Sequence, residues 1–469
     1  MKKSVKFLLI LMVVVLSIGV GYAAELILGS DVFYDNSETS LKASNVQDAL
    51  DELYDKAESL TSCESASVPK LGNKLIPVTI ASDGKVTYAD TSKEWYNYCD
   101  KRWANAVILE DGASYKQGDI IKESDIESYF VWIPKYKYKL WNVDTPIEKV
   151  HEIEIVFDET DTTDIEGVSC KTPMISGESG NCNNGEYMTH PAFISMGVNG
   201  FWVGKFETGY KGATSVATAQ VNANDTSKVI IKPNVYSWRG ITVKNIFETS
   251  YNYKRNLDSH MMKNTEWGAV AYLSHSKYGI NTEININNNS SFKTGYSALP
   301  LTNQQTYPGA SGNGDSYNLA YSTKIGYKAS TSGNISGIYD MSGGAWEYIS
   351  SYITGKPGSS GFSTTTLANY DSKYFDVYNA SSSINTYQYR ILGDATGEMG
   401  PFKQYLDGDN QSRYHSSWYG DFSYFVDPSY TWFSRGGHYT FGILSGGFCF
   451  SRYTGENNID GGFRIVLTP

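Results

Sequence analysis

A mixed α+β fold, built from short strands and long loops with few helices, is what this sequence predicts. Three observations carry that expectation. The 469 residues include 37 Tyr and 44 Gly but only 19% charged residues, a mix that favours strands and turns over amphipathic helices. Alternating apolar and polar positions recur in short runs bounded by Gly, Asn, Ser and Asp. Helical spacing is sustained only near 46–60 and 261–278.

Charge and the N-terminus bound the setting. A formal net charge of −11 argues against a nucleic-acid partner, which needs a basic patch to meet phosphates. Lys2, Lys3 and Lys6 precede an apolar run from Phe7 to Ala24, the layout of a signal peptide or an N-terminal membrane anchor over 1–24. The expected location is therefore secreted or extracellular, with membrane contact through that segment alone. Five cysteines, Cys63, Cys99, Cys170, Cys182 and Cys449, leave an odd thiol. Cys170 and Cys182 flank a polar loop and are the first disulfide candidates, with Cys63 and Cys99 the second. None has zinc-site spacing.

Each element follows in chain order. Residues 25–62 form a polar stalk with one short helix, in which Ser44 and Asn45 offer an N-cap. Val46, Leu50, Leu53, Ala57 and Leu60 recur at four-three spacing, a seam that packs on its own domain or joins a homo-trimer through 46–60. A small β-rich segment, 63–124, contains the hairpin Leu75–Ile80 and Lys85–Tyr88 around Ser82-Asp-Gly84, then the strand Ala104–Leu109. The main domain runs over 125–469. It opens on Tyr129–Trp141, continues through His151–Phe157 and the buried strand Gly200–Thr208, and reaches a helix over Met261–Tyr278 closed by Gly279. Residues 282–336 and 354–415 read as loops. The densest motif is Gly337-Ile-Tyr-Asp-Met-Ser-Gly-Gly-Ala-Trp-Glu-Tyr348, in which paired glycines permit a left-handed turn and an acid lies between two aromatics.

Trp202-Val-Gly-Lys-Phe-Glu207, Thr265-Glu-Trp267, the Gly337–Glu347 motif, Arg435-Gly-Gly437 and Gly462-Phe-Arg464 stand in the order seen in formylglycine-generating-enzyme-like domains. Residues 125–469 thus resemble that group, also called the sulfatase-modifying-factor superfold, and the N-terminal helix and Trp/Tyr-rich segment resemble exported bacterial and phage-associated proteins that carry such a domain. The resemblance implies an irregular C-type-lectin-like fold with long loops. It also implies a structural calcium ion on Gly343, Ala345 and Glu347, although Gly344 replaces the family's Asn. The alternative partners for Glu347 are Arg464 or backbone amides.

Catalysis in that family rests on two convergent thiolates that bind copper. Here Phe441 occupies the first cysteine's position and Cys449 is the only nearby sulfur, so copper is not expected. No Gly-x-Ser-x-Gly elbow and no close histidine pair supplies another chemistry. Asp407-Gly-Asp-Asn410 lacks the glycine and distal glutamate of an EF-hand, and Leu299–Asn303 only superficially resembles a sorting signal.

The expected function is therefore non-catalytic ligand binding or adhesion. Between Trp418 and Gly461, rigid aromatics alternate with Ser, Gly, Asp and Thr, the chemistry of a paratope. His438, Tyr439, Thr440, Phe441, Tyr453, Glu456 and Asn457 are the expected ligand contacts. In some microbial relatives this region is diversified, which the resemblance extends to this chain. The partner would be a protein or glycan on another surface. Alternatives are a receptor-binding tip on a phage and a metal-dependent oxidoreductase of the same superfamily with an atypical site.

Overall fold

The computed structural model describes residues 32–33, 43–61, 66–143, 149–158, 183–298, 319–379, 391–406 and 412–469. The N-terminal segment 1–24, Cys63, Cys170, Cys182, Leu299–Asn303 and Asp407–Asn410 lie outside these residues, as do the side chains of Ala57 and Leu60. Two compact units are present, Met1–Glu64 and Ser65–Pro469. In the first, helix α1 (Val46–Thr61) starts where Asn45 Oδ1 accepts from the Asp48 amide at 2.8 Å, so Asn45 supplies the cap. Leu50 and Leu53 are about half exposed along the expected seam. Among the described residues, no helix is long and apolar enough to cross a membrane.

The second unit is mostly sheet with few helices. Its strands begin with β1 (Ile76–Ile80), β2 (Val86–Tyr88), β3 (Asn105–Leu109), β4 (Ile120–Ile121) and β5 (Ile126–Pro134). The expected hairpin forms, pairing Val78 with Tyr88 around Gly84, whose φ is +87°. Next come β6 (Tyr136–Lys139), β7 (Ile155–Phe157) and β8 (Tyr187–Thr189), a small antiparallel sheet centred on β6. Strands β9 (Gly200–Gly204), β10 (His260–Met261) and, at the chain's end, Ile465–Leu467 complete an eight-stranded sheet. Its order is β10, 465–467, β9, β5, β3, β1, β2, β4. The boundary expected near residue 124 therefore falls inside one sheet. β3 pairs with β5 from Asn105↔Val131 to Leu109↔Ile126, so 66–124 shares a layer with the main domain rather than standing apart.

A second eight-stranded sheet holds the distinctive motif. It contains β11 (Trp346–Ile353), β12 (Asp376–Tyr378), β13 (Lys403–Leu406), β14 (Ser412–Ser416), β15 (Phe422–Ser423), β16 (Trp432–Gly436), β17 (Gly446–Tyr453) and β18 (Gly461–Phe463). Alternation along β11 divides the core: Tyr348 faces the large cluster, while Ile349 and Ile353 join Phe425, Phe433 and Phe450 in a smaller one. Each large apolar side chain buried this way contributes about 1.5–3 kcal/mol.

Of the helices, α2 (Pro191–Met196), α3 (Val243–Tyr253) and α4 (Asn264–Ser274), the last is buried at every position. It is shorter than the 261–278 expected, because Met261 belongs to β10 and the C-cap is His275. Close approach explains Gly268: a Cβ there would lie 1.9 Å from the Gly393 carbonyl oxygen. Cys99 is disulfide-bonded, with its partner outside the described residues, and Cys449 is a free, buried thiol.

Candidate binding face and the buried hub beneath it

The five motifs singled out in the sequence meet in the second unit. Lys205, fully buried after β9, donates to Asn105 Oδ1 at 2.9 Å and to the carbonyls of Ile335 and Gly337, both at 2.7 Å. Burial pushes its ammonium pKa well down, and three acceptors hold it in place. Glu207 receives Ser237 Oγ at 2.6 Å and the Ala345 amide at 2.9 Å. Trp267 Nε1 donates to the Gly447 carbonyl at 2.8 Å, and the Arg435 guanidinium lies 5.5 Å from the Trp267 ring centre. On β11, Glu347 is in register with Arg435 on one side and Gly462 on the other.

Glu347 binds Arg464. Nε reaches Oε2 at 3.0 Å and a terminal nitrogen reaches Oε1 at 2.5 Å, while the remaining donors go to the carbonyls of Gly204 at 2.8 Å and Tyr339 at 3.0 Å. Asp340, at φ +62°, accepts from Asn287 Nδ2 and the Gly295 amide, each at 2.9 Å. Burial raises the pKa of Glu207 well above the carboxylate range, with the charges of Asp340 and Glu347 adding to it. Burial also lifts Glu347 to about 7, against the pull of Arg464. Gly344 is required on two counts: its φ is +71°, and a Cβ would sit 2.4 Å from Glu207 Oε1.

The residues expected to hold calcium are placed by this hub. Both Glu347 oxygens face a guanidinium, the Ala345 amide is committed to Glu207, and the Gly343 amide donates to the Gly436 carbonyl at 3.0 Å. A calcium ion held there would share the Glu347 carboxylate with Arg464. Among the described residues there is no cluster of three or more His, Cys, Asp or Glu arranged to hold a metal.

Above the hub, most of the expected ligand contacts come together. Trp346, 3% exposed, lies under Phe441 and Tyr453, with ring centres 5.1 and 6.3 Å away. Phe441 meets Phe422 at 5.7 Å, and Phe422 lies beside Tyr424 at 6.2 Å, two residues along one strand face. Phe441, Phe422, Tyr424 and Tyr453 are half-buried, and Tyr430 beyond them is 45% exposed. Arg452 spans this end, 3.8 Å from the Tyr424 ring centre and 5.0 Å from that of Tyr430, and pairs with Asp427.

His438 is more buried than expected, at 9%, and acts as a tie. Its Nε2 stands 3.3 Å from Asp460 Oδ1, its Nδ1 is 2.8 Å from Thr440 Oγ1, and its ring meets Tyr439 and Phe292. That contact outweighs burial, which acts the other way, and holds the Asp460 carboxyl below its usual range. The Tyr439 amide donates to the Gly344 carbonyl at 3.0 Å, fastening the face to the hub. Thr440 is half-buried beside it, while Glu456 and Asn457 are exposed, with the Glu456 carbonyl accepting from Tyr348 at 3.0 Å.

Several participants were not legible in the sequence. Phe292, in a segment read as loop, carries φ +51°, unusual for an aromatic residue, and holds Arg239 3.7 Å from its ring centre. Asp460 acts through a contact with His438 that spacing alone does not reveal. Sequence also scattered the histidines, yet His151, His190 and His275 fall within one aromatic assembly around Trp141, Tyr272 and Trp418. No protein-family model matches the chain, and no curated protein matches it.

Proposed function

We propose that this chain is an exported, non-catalytic ligand-binding or adhesion protein whose binding face is the aromatic surface formed by the 438–441 and 453–457 segments. The observation that carries this reading is the edge-to-face packing of half-exposed Phe441 and Tyr453 on buried Trp346. Rings braced from below lose little freedom on binding, and Thr440, Glu456 and Asn457 add adaptable polar contacts at their edges. The partner is a protein or glycan on another surface, as an adhesion role or a phage receptor-binding tip requires.

The convergence of the five motifs supports a C-type-lectin-like domain resembling formylglycine-generating enzymes. Calcium at Gly343, Ala345 and Glu347 belongs to this reading only as an ion competing with Arg464 for Glu347. Melting curves with and without EDTA decide it: a lower midpoint after chelation supports calcium, and unchanged curves reject it. The seam of α1 belongs to the reading as a trimer contact, for which Leu50→Asp with Leu53→Asp should give monomers in analytical ultracentrifugation.

An array of glycans and cell-surface proteins tests the binding face. On the captured ligand, oxidative footprinting should protect Tyr439, Phe441 and Tyr453. Capture that leaves all three as reactive as in the free protein would put the face elsewhere.

A further inference from the structure

His438 stands just past β16, and its two ring nitrogens have different neighbours. Nδ1 lies 2.8 Å from Thr440 Oγ1 and 3.4 Å from the Thr440 amide nitrogen. Nε2 lies 3.3 Å from Oδ1 of Asp460, on the loop before β18. Phe292 packs edge-to-face against the ring at 5.3 Å, with Arg239 on Phe292, and the Tyr439 ring centre is 4.4 Å away. Asp460 and Arg239 are the charged groups packed around the imidazole, and Tyr439 is a further titratable one.

These contacts fix which nitrogen carries the hydrogen. A backbone N–H can only donate, so Nδ1 meets the Thr440 amide as an acceptor. In the neutral ring the hydrogen is then on Nε2, turned to the Asp460 carboxylate. With Nδ1 accepting, the Thr440 hydroxyl donates to it and keeps its lone pairs free. Thr440 is half-buried, and its Oγ1 has no other partner among the described residues, so those lone pairs are left for a bound molecule.

We propose that His438 is a positioning residue of the binding face rather than a ligand contact. It holds the Thr440 hydroxyl as an acceptor toward the partner, and reverses that hydroxyl when the ring takes a second proton. This role rests on the reading of 438–457 as the binding face. A second proton turns Nδ1 into a donor, so the Thr440 hydroxyl must accept from it and turn its own hydrogen outward. The charged ring also holds Asp460 more strongly, a carboxyl that the His438 contact already keeps below its usual range. Asp460 is anchored through its backbone, its carbonyl accepting from the Trp346 amide at 2.9 Å, so the ring stays in place and the change falls on Thr440. While His438 is neutral, the face selects a hydroxyl or N–H donor at this point.

Two measurements on the full chain test this. In long-range nitrogen–proton NMR of isotope-labelled histidine at pH 8, the His438 signals, assigned by their loss in His438→Gln, should show hydrogen on Nε2 and none on Nδ1. Capture on the array of glycans and cell-surface proteins is read at pH 8 and pH 5, the span over which histidines change charge. Whatever the wild type captures at pH 8 should be held about tenfold more weakly at pH 5, the worth of one hydrogen bond. Thr440→Ser, which keeps the hydroxyl, should follow the wild type. Thr440→Val, which keeps the shape without the hydroxyl, should lose that fall. Hydrogen on Nδ1 at pH 8, or an unchanged fall in Thr440→Val, overturns the role of His438 while leaving the face in place. No capture by the wild type at either pH overturns the face and this role together, whichever nitrogen carries the hydrogen.

Discussion

Arg464 closes on Glu347 through two nitrogens, and neither side chain is exposed. The pair joins β11 to the residue linking β18 with strand 465–467, so the second sheet is fastened to the first by charge as well as by packing. Removing one partner leaves the other charge buried alone, at a cost of about 3–5 kcal/mol. Arg464→Met should therefore lower the unfolding midpoint sharply. Arg464→Met with Glu347→Gln should recover part of the loss in the same denaturant titration, since no lone charge then remains.

Glu398 offers a pH test. Its carboxyl meets the Tyr138 hydroxyl at 3.0 Å, the Gly393 amide at 2.9 Å and the Tyr272 hydroxyl, and burial lifts its pKa to about 8. An acid whose folded pKa lies above its unfolded one binds more protons when folded. Its contribution is fully present below the ordinary glutamate range and is lost as pH rises toward 8. Urea titrations from pH 5 to 8 should show stability falling across that window, with a shallower fall in Glu398→Gln.

Glycine positions separate strain from collision. Gly420, at φ +88°, has open space where a methyl group would go, so Gly420→Ala should cost only the left-handed penalty of about 1–2 kcal/mol. Gly344→Ala carries the same backbone penalty and drives a methyl into Glu207 Oε1. Its loss of stability in a thermal melt should be clearly larger.

Cys449 is buried beside Asp421 and Arg435, and burial pushes its thiol pKa well up, so the thiolate is scarce. Iodoacetamide labelling read by peptide mass spectrometry should leave Cys449 unmodified in the native protein and alkylate it in denaturant. Reducing the Cys99 disulfide should destabilise the fold by about 2–4 kcal/mol.

Local pattern and long-range contact account for what the sequence could show. Alternation and turn chemistry located β1, β2, β3, β5 and β9, because period-two burial and Gly84 are local signals. The motif order brought Glu347 toward Arg435 and Gly462-Phe-Arg464, and Arg464 was among the partners considered for it. The single sheet running from β4 to β10 was not legible, since strand 465–467, which joins β9 to β10, pairs with residues more than two hundred positions away. Helix α4 was overextended because buried β10 and α4 are both apolar, and periodicity does not separate them. On the candidate face, aromatic density pointed to Phe441 and Tyr453. It could not show that His438 is tied inward to Asp460, or that Phe292 and Arg239 complete the site.

One measurement bears most directly on a fixed hub with a binding face above it: ligand capture by a variant with Ser/Gly at 438–441 and 453–457, alongside its melting temperature. The account predicts that capture is lost while the melt stays cooperative, at a lower midpoint because His438, Phe441 and Tyr453 no longer pack on Asp460 and Trp346. Capture at wild-type strength by that folded variant would contradict it.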